Sequence, residues 1–86
     1  MQIYRIEIRK KAAKFINSRN KKEQNKIIEA IYNLPNGTDI IKMAGYENRF
    51  RLRVGDIRII YEKIDNVFKI IVIDAGNRGD IYKWLA

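Results

Sequence analysis

Four arginines crowd one short stretch, NRFRLRVGDIRII (Asn48 to Ile60): Arg49, Arg51, Arg53 and Arg58. The first three alternate with Phe50, Leu52 and Val54. Alternation of this kind sends successive side chains to opposite faces of a strand. Arginine at such positions suits one chemistry well. Its guanidinium is permanently charged, and its planar fork meets a phosphate with two parallel hydrogen bonds. The row therefore points to a phosphate-binding face. The plain alternative is an ordinary solvated basic surface, but ordinary surfaces mix signs and this strand does not.

Register follows from the turn. Gly55–Asp56 is a two-residue hairpin signal. It places Val54 opposite Ile57 and Arg53 opposite Arg58. Phe50, Leu52, Val54, Ile57, Ile59 and Tyr61 then share one face, and the four arginines share the other. Like charges set directly opposite weaken a sheet by a few tenths to ~1 kcal/mol. A bound anion would relieve that repulsion. The arginine face also carries Ile60, Ile71 and Ile73, so part of it must be covered, and the C-terminal segment is expected to cover it.

The elements that must hold this face are legible in outline. Gln2–Ile8 alternates loosely and predicts a first strand. From Arg9 the period changes, and Ala12, Ala13, Phe15 and Ile16 predict a short amphipathic helix. Asn17–Asn20 supplies turn and capping residues. A second helix is predicted from about Lys21 to Leu34, with Ile27, Ile28, Ile31 and Leu34 along one stripe. Pro35–Gly37 stops it. Residues 45–75 predict three strands, with turns at Gly55–Asp56 and Asp65–Asn66. Asp65–Asn66, taken as a two-residue turn, adds Phe68, Ile70 and Val72 to the apolar face. The last residues predict a turn or short helix docking through Ile81, Trp84 and Leu85. The order β-α-α-β-β-β predicts an α+β fold: a small antiparallel sheet with a helical hairpin on one face.

The composition narrows the function. A chain of 86 residues is expected to form one domain, residues 1–86. The formal net charge is +8, which attracts nucleic acid or another polyanion. There is no histidine and no cysteine, so zinc and the softer metals lose their usual ligands. The carboxylates are dispersed along the chain, which does not suggest a magnesium site. No metal and no cofactor are expected. No signal peptide and no membrane span are expected, which fits a cytoplasmic protein.

Three features resemble the RelE family of bacterial and archaeal toxins, within the RelE/ParE superfamily. They are FRLRVGDIRIIYE (Phe50–Glu62), AGNRGDIYKWL (Ala75–Leu85), and the length and element order of the whole chain. The first block is shared by mRNA-cleaving and gyrase-targeting relatives. The terminal NRGDIY favours the RNase branch. The resemblance implies the RelE-like microbial RNase fold and metal-independent endoribonuclease activity. Such a toxin enters the A site of the 70S ribosome and cuts mRNA by attack of a 2′-hydroxyl on the neighbouring phosphate. It also implies a cognate antitoxin as partner, with operator DNA bound through that antitoxin.

Residue by residue, the resemblance places Arg51 and Arg53 where the best-studied members carry a pair of lysines. It gives Arg58 the role of holding the phosphate. Arg78 would stabilise charge and protonate the 5′-oxygen, and Tyr82 would position the nucleotide and its 2′-hydroxyl. Tyr46 and Arg49 are candidate RNA-stacking or backbone contacts. A lysine can be tuned to act as a general base, whereas arginine cannot. With arginine at 51 and 53, the proton would leave through Tyr82, Glu47 or a group of the ribosomal RNA. Alternatively, catalysis would rest on positioning and electrostatic stabilisation. Two other functions fit the same blocks: a ParE-like inhibitor of DNA gyrase, and a homologue that binds antitoxin without catalysis.

Overall fold

The computed structural model describes residues 3–77. Its elements are β1 (Arg5–Ile8), α1 (Lys10–Asn17), α2 (Lys21–Tyr32), β2 (Ile40–Lys42), β3 (Arg49–Val54), β4 (Ile57–Ile64) and β5 (Lys69–Asn77). The strands form one sheet in the order β1-β5-β4-β3-β2. The α+β class and the placement of both helices on one face are as expected. No helix among the described residues is long and apolar enough to cross a membrane.

The helices owe their docking to spacing. Ala12 and Ile16 on α1 and Ile27 and Ile31 on α2 are buried, and they pack in one cluster with Leu52, Ile57, Ile59, Tyr61, Ile70 and Val72 of the sheet. Asn20 caps α2, its side-chain oxygen accepting from the Glu23 amide at 2.8 Å. The helix closes at Tyr32, two residues before Leu34, which is nonetheless buried in the same core.

The structure adds a strand and changes one pairing. β2 was not expected: three residues, IIK, are too few to show a period. It runs antiparallel to β3 at the sheet edge. β1 begins at Arg5 rather than Gln2 and lies beside β5 in parallel, so the sheet is mixed. Pairing between the first and last strands leaves no local trace in either.

The β3–β4 turn matches expectation: Val54 faces Ile57 and Arg53 faces Arg58. Gly55 has φ 61, the positive value that the first residue of a two-residue hairpin turn takes. The β4–β5 turn does not match. Asp65–Val67 forms a 3₁₀ turn and Phe68 is left-handed at φ 49, so Ile64 pairs with Lys69. Tyr61 consequently faces Val72, not Ile70 as a two-residue loop requires. A shift of two residues preserves which face each side chain occupies, so Ile70 and Val72 still reach the core. Phe68 does not. It is exposed and meets Tyr4 edge-on, ring centroids 5.8 Å apart.

Candidate functional site

Alternation along β3 and β4 puts Arg49, Arg51, Arg53 and Arg58 on the face away from the helices, as expected. What the tertiary structure changes is their electrostatic company. Arg49 stands opposite Glu62 and is paired with it: Nε and Nη2 both donate to Oε2, at 3.1 and 3.0 Å. Arg53 Nε reaches Asp39 Oδ2 at 3.3 Å, just before β2. The expectation of four unrelieved like charges is therefore corrected. Arg49 and Arg53 have acidic partners among the described residues, brought in by register for Glu62 and by β2 for Asp39.

Arg58 also departs from the picture of a surface charge. It is only 9% exposed, and its Nη1 donates to the Gly55 carbonyl at 3.2 Å. Arg51 differs from both. It is half-buried between Ile60 on β4 and Ile41 on β2. Its Nε is shut off from solvent and has no hydrogen-bond partner among the described residues. A buried donor in that condition costs free energy until an acceptor arrives.

A β-bulge shapes the rest of the face. Ile60 pairs with Asp74 but Tyr61 pairs with Val72, so Ile73 is an extra residue in β5. The insertion reverses the parity beyond it. Ala75 turns into the core, and Asp74 turns to the arginine side, diagonally across from Arg58. Asp74 is buried, accepts from the Ala75 amide at 2.9 Å and meets Lys11 Nζ at 3.3 Å. Plain alternation would have put Asp74 in the core, so no sequence signal marked it.

The apolar residues of this face are partly accounted for. Met43 packs on Ile60, with Ile73 against the pair. The cover for Ile60 and Ile73 thus includes the loop after β2; the C-terminal segment expected there lies outside the described residues. Ile71 is buried as well. Gly45, at φ 85, takes a left-handed turn just after Met43, and Tyr46 follows it. The Tyr46 ring lies against Arg49, with the guanidinium carbon 4.5 Å from the ring centroid. Glu47, a candidate base, is exposed in the same loop. Arg78, Tyr82, Ile81, Trp84 and Leu85 lie outside the described residues. Among the described residues, no three acidic side chains gather as metal ligands.

No protein-family profile matches the chain. No curated protein matches it either. Solved structures do. A chain of the archaeal RelE–RelB complex from Pyrococcus horikoshii is 28% identical, covers 91% of this chain and 98% of its own length, and superposes with a TM-score of 0.75. One from the RelB–RelE antitoxin–toxin complex of Methanococcus jannaschii is 26% identical, with coverages of 93% and 99% and a TM-score of 0.74. The isolated RelE toxin of E. coli, 18% identical, covers 93% of this chain and 92% of its own length at a TM-score of 0.66, and shows the likeness of fold alone. These likenesses bear out the resemblance read from Phe50–Glu62 and support a toxin of the RelE family.

Proposed function

We propose that this chain is the toxin of a toxin–antitoxin pair and that it cleaves mRNA in the A site of the ribosome without a metal. The observation that carries the reading is the sharing of one sheet face by Arg49, Arg51, Arg53 and Arg58, with the half-buried Arg51 in its middle. In the proposed reaction the 2′-oxygen of one nucleotide forms a bond to the adjacent phosphorus as the bond to the 5′-oxygen breaks. The products are a 2′,3′-cyclic phosphate and a 5′-hydroxyl. The proton leaves the 2′-oxygen and one is delivered to the 5′-oxygen. Arg51, Arg53 and Arg58 are assigned to the phosphate, Arg78 to the leaving oxygen and Tyr82 to the attacking nucleotide.

Arginines suit the electrostatic part of this work. Preorganised donors aimed at charge that develops in the transition state are worth more in a site that excludes water. The pairing of Arg53 with Asp39 makes it the more peripheral of the three. The burial of Arg58 makes it a fixed donor near the turn. The partner proposed for the free toxin is an antitoxin, as in the RelE–RelB complexes to which the chain is similar.

The test is induction of the chain in cells, followed by mapping of mRNA 5′ ends. Cuts confined to translated frames support the proposal. A DNA-damage response without such cuts selects gyrase inhibition instead. Metal analysis of the purified protein bears on the second half of the statement, and a stoichiometric bound ion would contradict it.

A further inference from the structure

Tyr46, Arg49 and Glu62 form a chain of contacts that begins on a central strand and ends at an accessible ring. Glu62 sits on β4, directly across from Arg49 on β3. Its Oε2 takes two hydrogen bonds from the same guanidinium, which fixes the plane of that group. The guanidinium in turn lies 4.5 Å from the centre of the Tyr46 ring, within cation–π range. Both members of the ion pair are about three-quarters buried, at 24% and 25% exposure, whereas Tyr46 is 39% exposed. A loop aromatic on a glycine turn is thereby ordered in advance, and ordering in advance lowers the cost of binding.

The chemistry of this ring fits a nucleobase. Every base has a flat π-face, and stacking on an aromatic side chain gains affinity without needing hydrogen-bond readout. Arg51 lies two residues further along the same face of β3, about 6.6 Å away at the usual strand rise. Arg49 already has a carboxylate partner, so its part is to orient the ring rather than to neutralise phosphate. A larger ring overlaps more of the tyrosine face.

We infer that Tyr46 is a nucleobase-stacking platform with a preference for purine over pyrimidine, and that Glu62 is the positioning residue that holds it through Arg49. The inference rests on the RNA-binding reading of the arginine face, and it reassigns Arg49 from a backbone contact to a support.

The test uses the full chain and 2′-O-methylated tetranucleotides of adenosine and of uridine. These lack the attacking hydroxyl, so binding is read without cleavage. Affinity is measured by fluorescence anisotropy over a range of salt. The wild-type chain should prefer the adenosine probe. Tyr46→Ala should weaken that probe roughly ten- to a hundredfold and erase the preference, with the salt dependence unchanged. Tyr46→Phe and Tyr46→Trp should keep both affinity and preference, which separates loss of the ring from loss of the loop. Glu62→Gln is the sharper arm. Removing a negative charge should tighten RNA binding by Coulomb's law alone, whereas loosening the ring should weaken the adenosine probe selectively. Equal tightening of both probes would overturn the role of Glu62. Arg51→Gln should lower the salt slope by about one. If Arg51→Gln weakens binding and Tyr46→Ala does not, the platform is wrong and the RNA face stands. If neither changes binding, the RNA reading fails and the platform with it.

Discussion

Arg53 and Arg58 face each other across the β3–β4 hairpin, yet their guanidiniums part company: Arg53 turns outward to Asp39, and Arg58 turns to the carbonyl of Gly55. Two like charges placed opposite one another are thus separated by partners on different elements. The repulsion that makes the sequence look costly is reduced before any ligand binds. This sets what substitutions on the face should do.

Arg53→Gln should change the stability of the free domain by less than about 0.5 kcal/mol. It loses an ion pair that is half-exposed on both sides and so contributes little. It also removes the charge opposite Arg58. A double-mutant cycle with Asp39→Asn, followed by urea unfolding, should return a coupling below about 1 kcal/mol. A larger coupling would mean that the pair is a structural clamp.

Arg51 and Arg58 should separate activity from stability. Arg51→Gln should reduce growth arrest at equal expression at least tenfold, while leaving thermal stability unchanged or slightly raised, because it removes a shielded donor without a partner among the described residues. Arg58→Ala should also abolish arrest but should cost about 1–3 kcal/mol in unfolding, because Arg58 is buried and hydrogen-bonded. Undiminished arrest by Arg51→Gln would remove Arg51 from the site.

Tyr61 should give the fold an alkaline limit. Burial pushes its phenol up to about 12 from an ordinary 10.0. The native state therefore keeps the proton where the unfolded chain has begun to lose it. Stability from this source is complete below pH 10 and is lost as pH rises from there through about 12, on the order of 2–3 kcal/mol in all. Tyr61→Phe, which retains the stack on Phe50, should flatten that part of the stability–pH curve. An unchanged alkaline slope in the variant would contradict it.

Glu7 should act at the other end of the scale. A hydrogen bond from Lys69, and then the charge of Lys69, hold its carboxyl below the usual 4.5, with Arg9 contributing in the same direction. A depressed folded value means that the stabilisation is present above the ordinary value and disappears as pH falls through the folded one. The pair ties β1 to β5, with Lys69 Nζ 3.0 Å from Glu7 Oε1. Glu7→Gln should make the acid limb below pH 4.5 shallower in equilibrium unfolding, and an identical limb would exclude the linkage.

Gly55→Ala should destabilise by about 1 kcal/mol for a conformational reason alone. The position has φ 61, and a methyl group there would meet nothing within 4 Å. Gly55→Asn, which tolerates positive φ better, should cost less. Equal costs for the two substitutions would point to a contact at the turn instead.

The sequence by itself determined the two helices, the β3–β4 hairpin and the sharing of one face by four arginines. These are local matters of periodicity and turn chemistry, and Val54, Gly55, Asp56 and Ile57 carry the register in consecutive residues. It also carried the resemblance that the fold bears out. It did not reveal that Arg53 has an acidic partner, because Asp39 is brought in by a strand too short to have a period; the Arg49–Glu62 pair, by contrast, follows from the same hairpin register. It did not reveal Asp74 either, because one extra residue at Ile73 reverses every later side chain, and alternation is blind to a bulge. Charge is distributed along a chain by residue type, but it is neutralised in space. Which arginine of the face is left with a shielded donor and no partner among the described residues was therefore decided only when the strands were laid side by side.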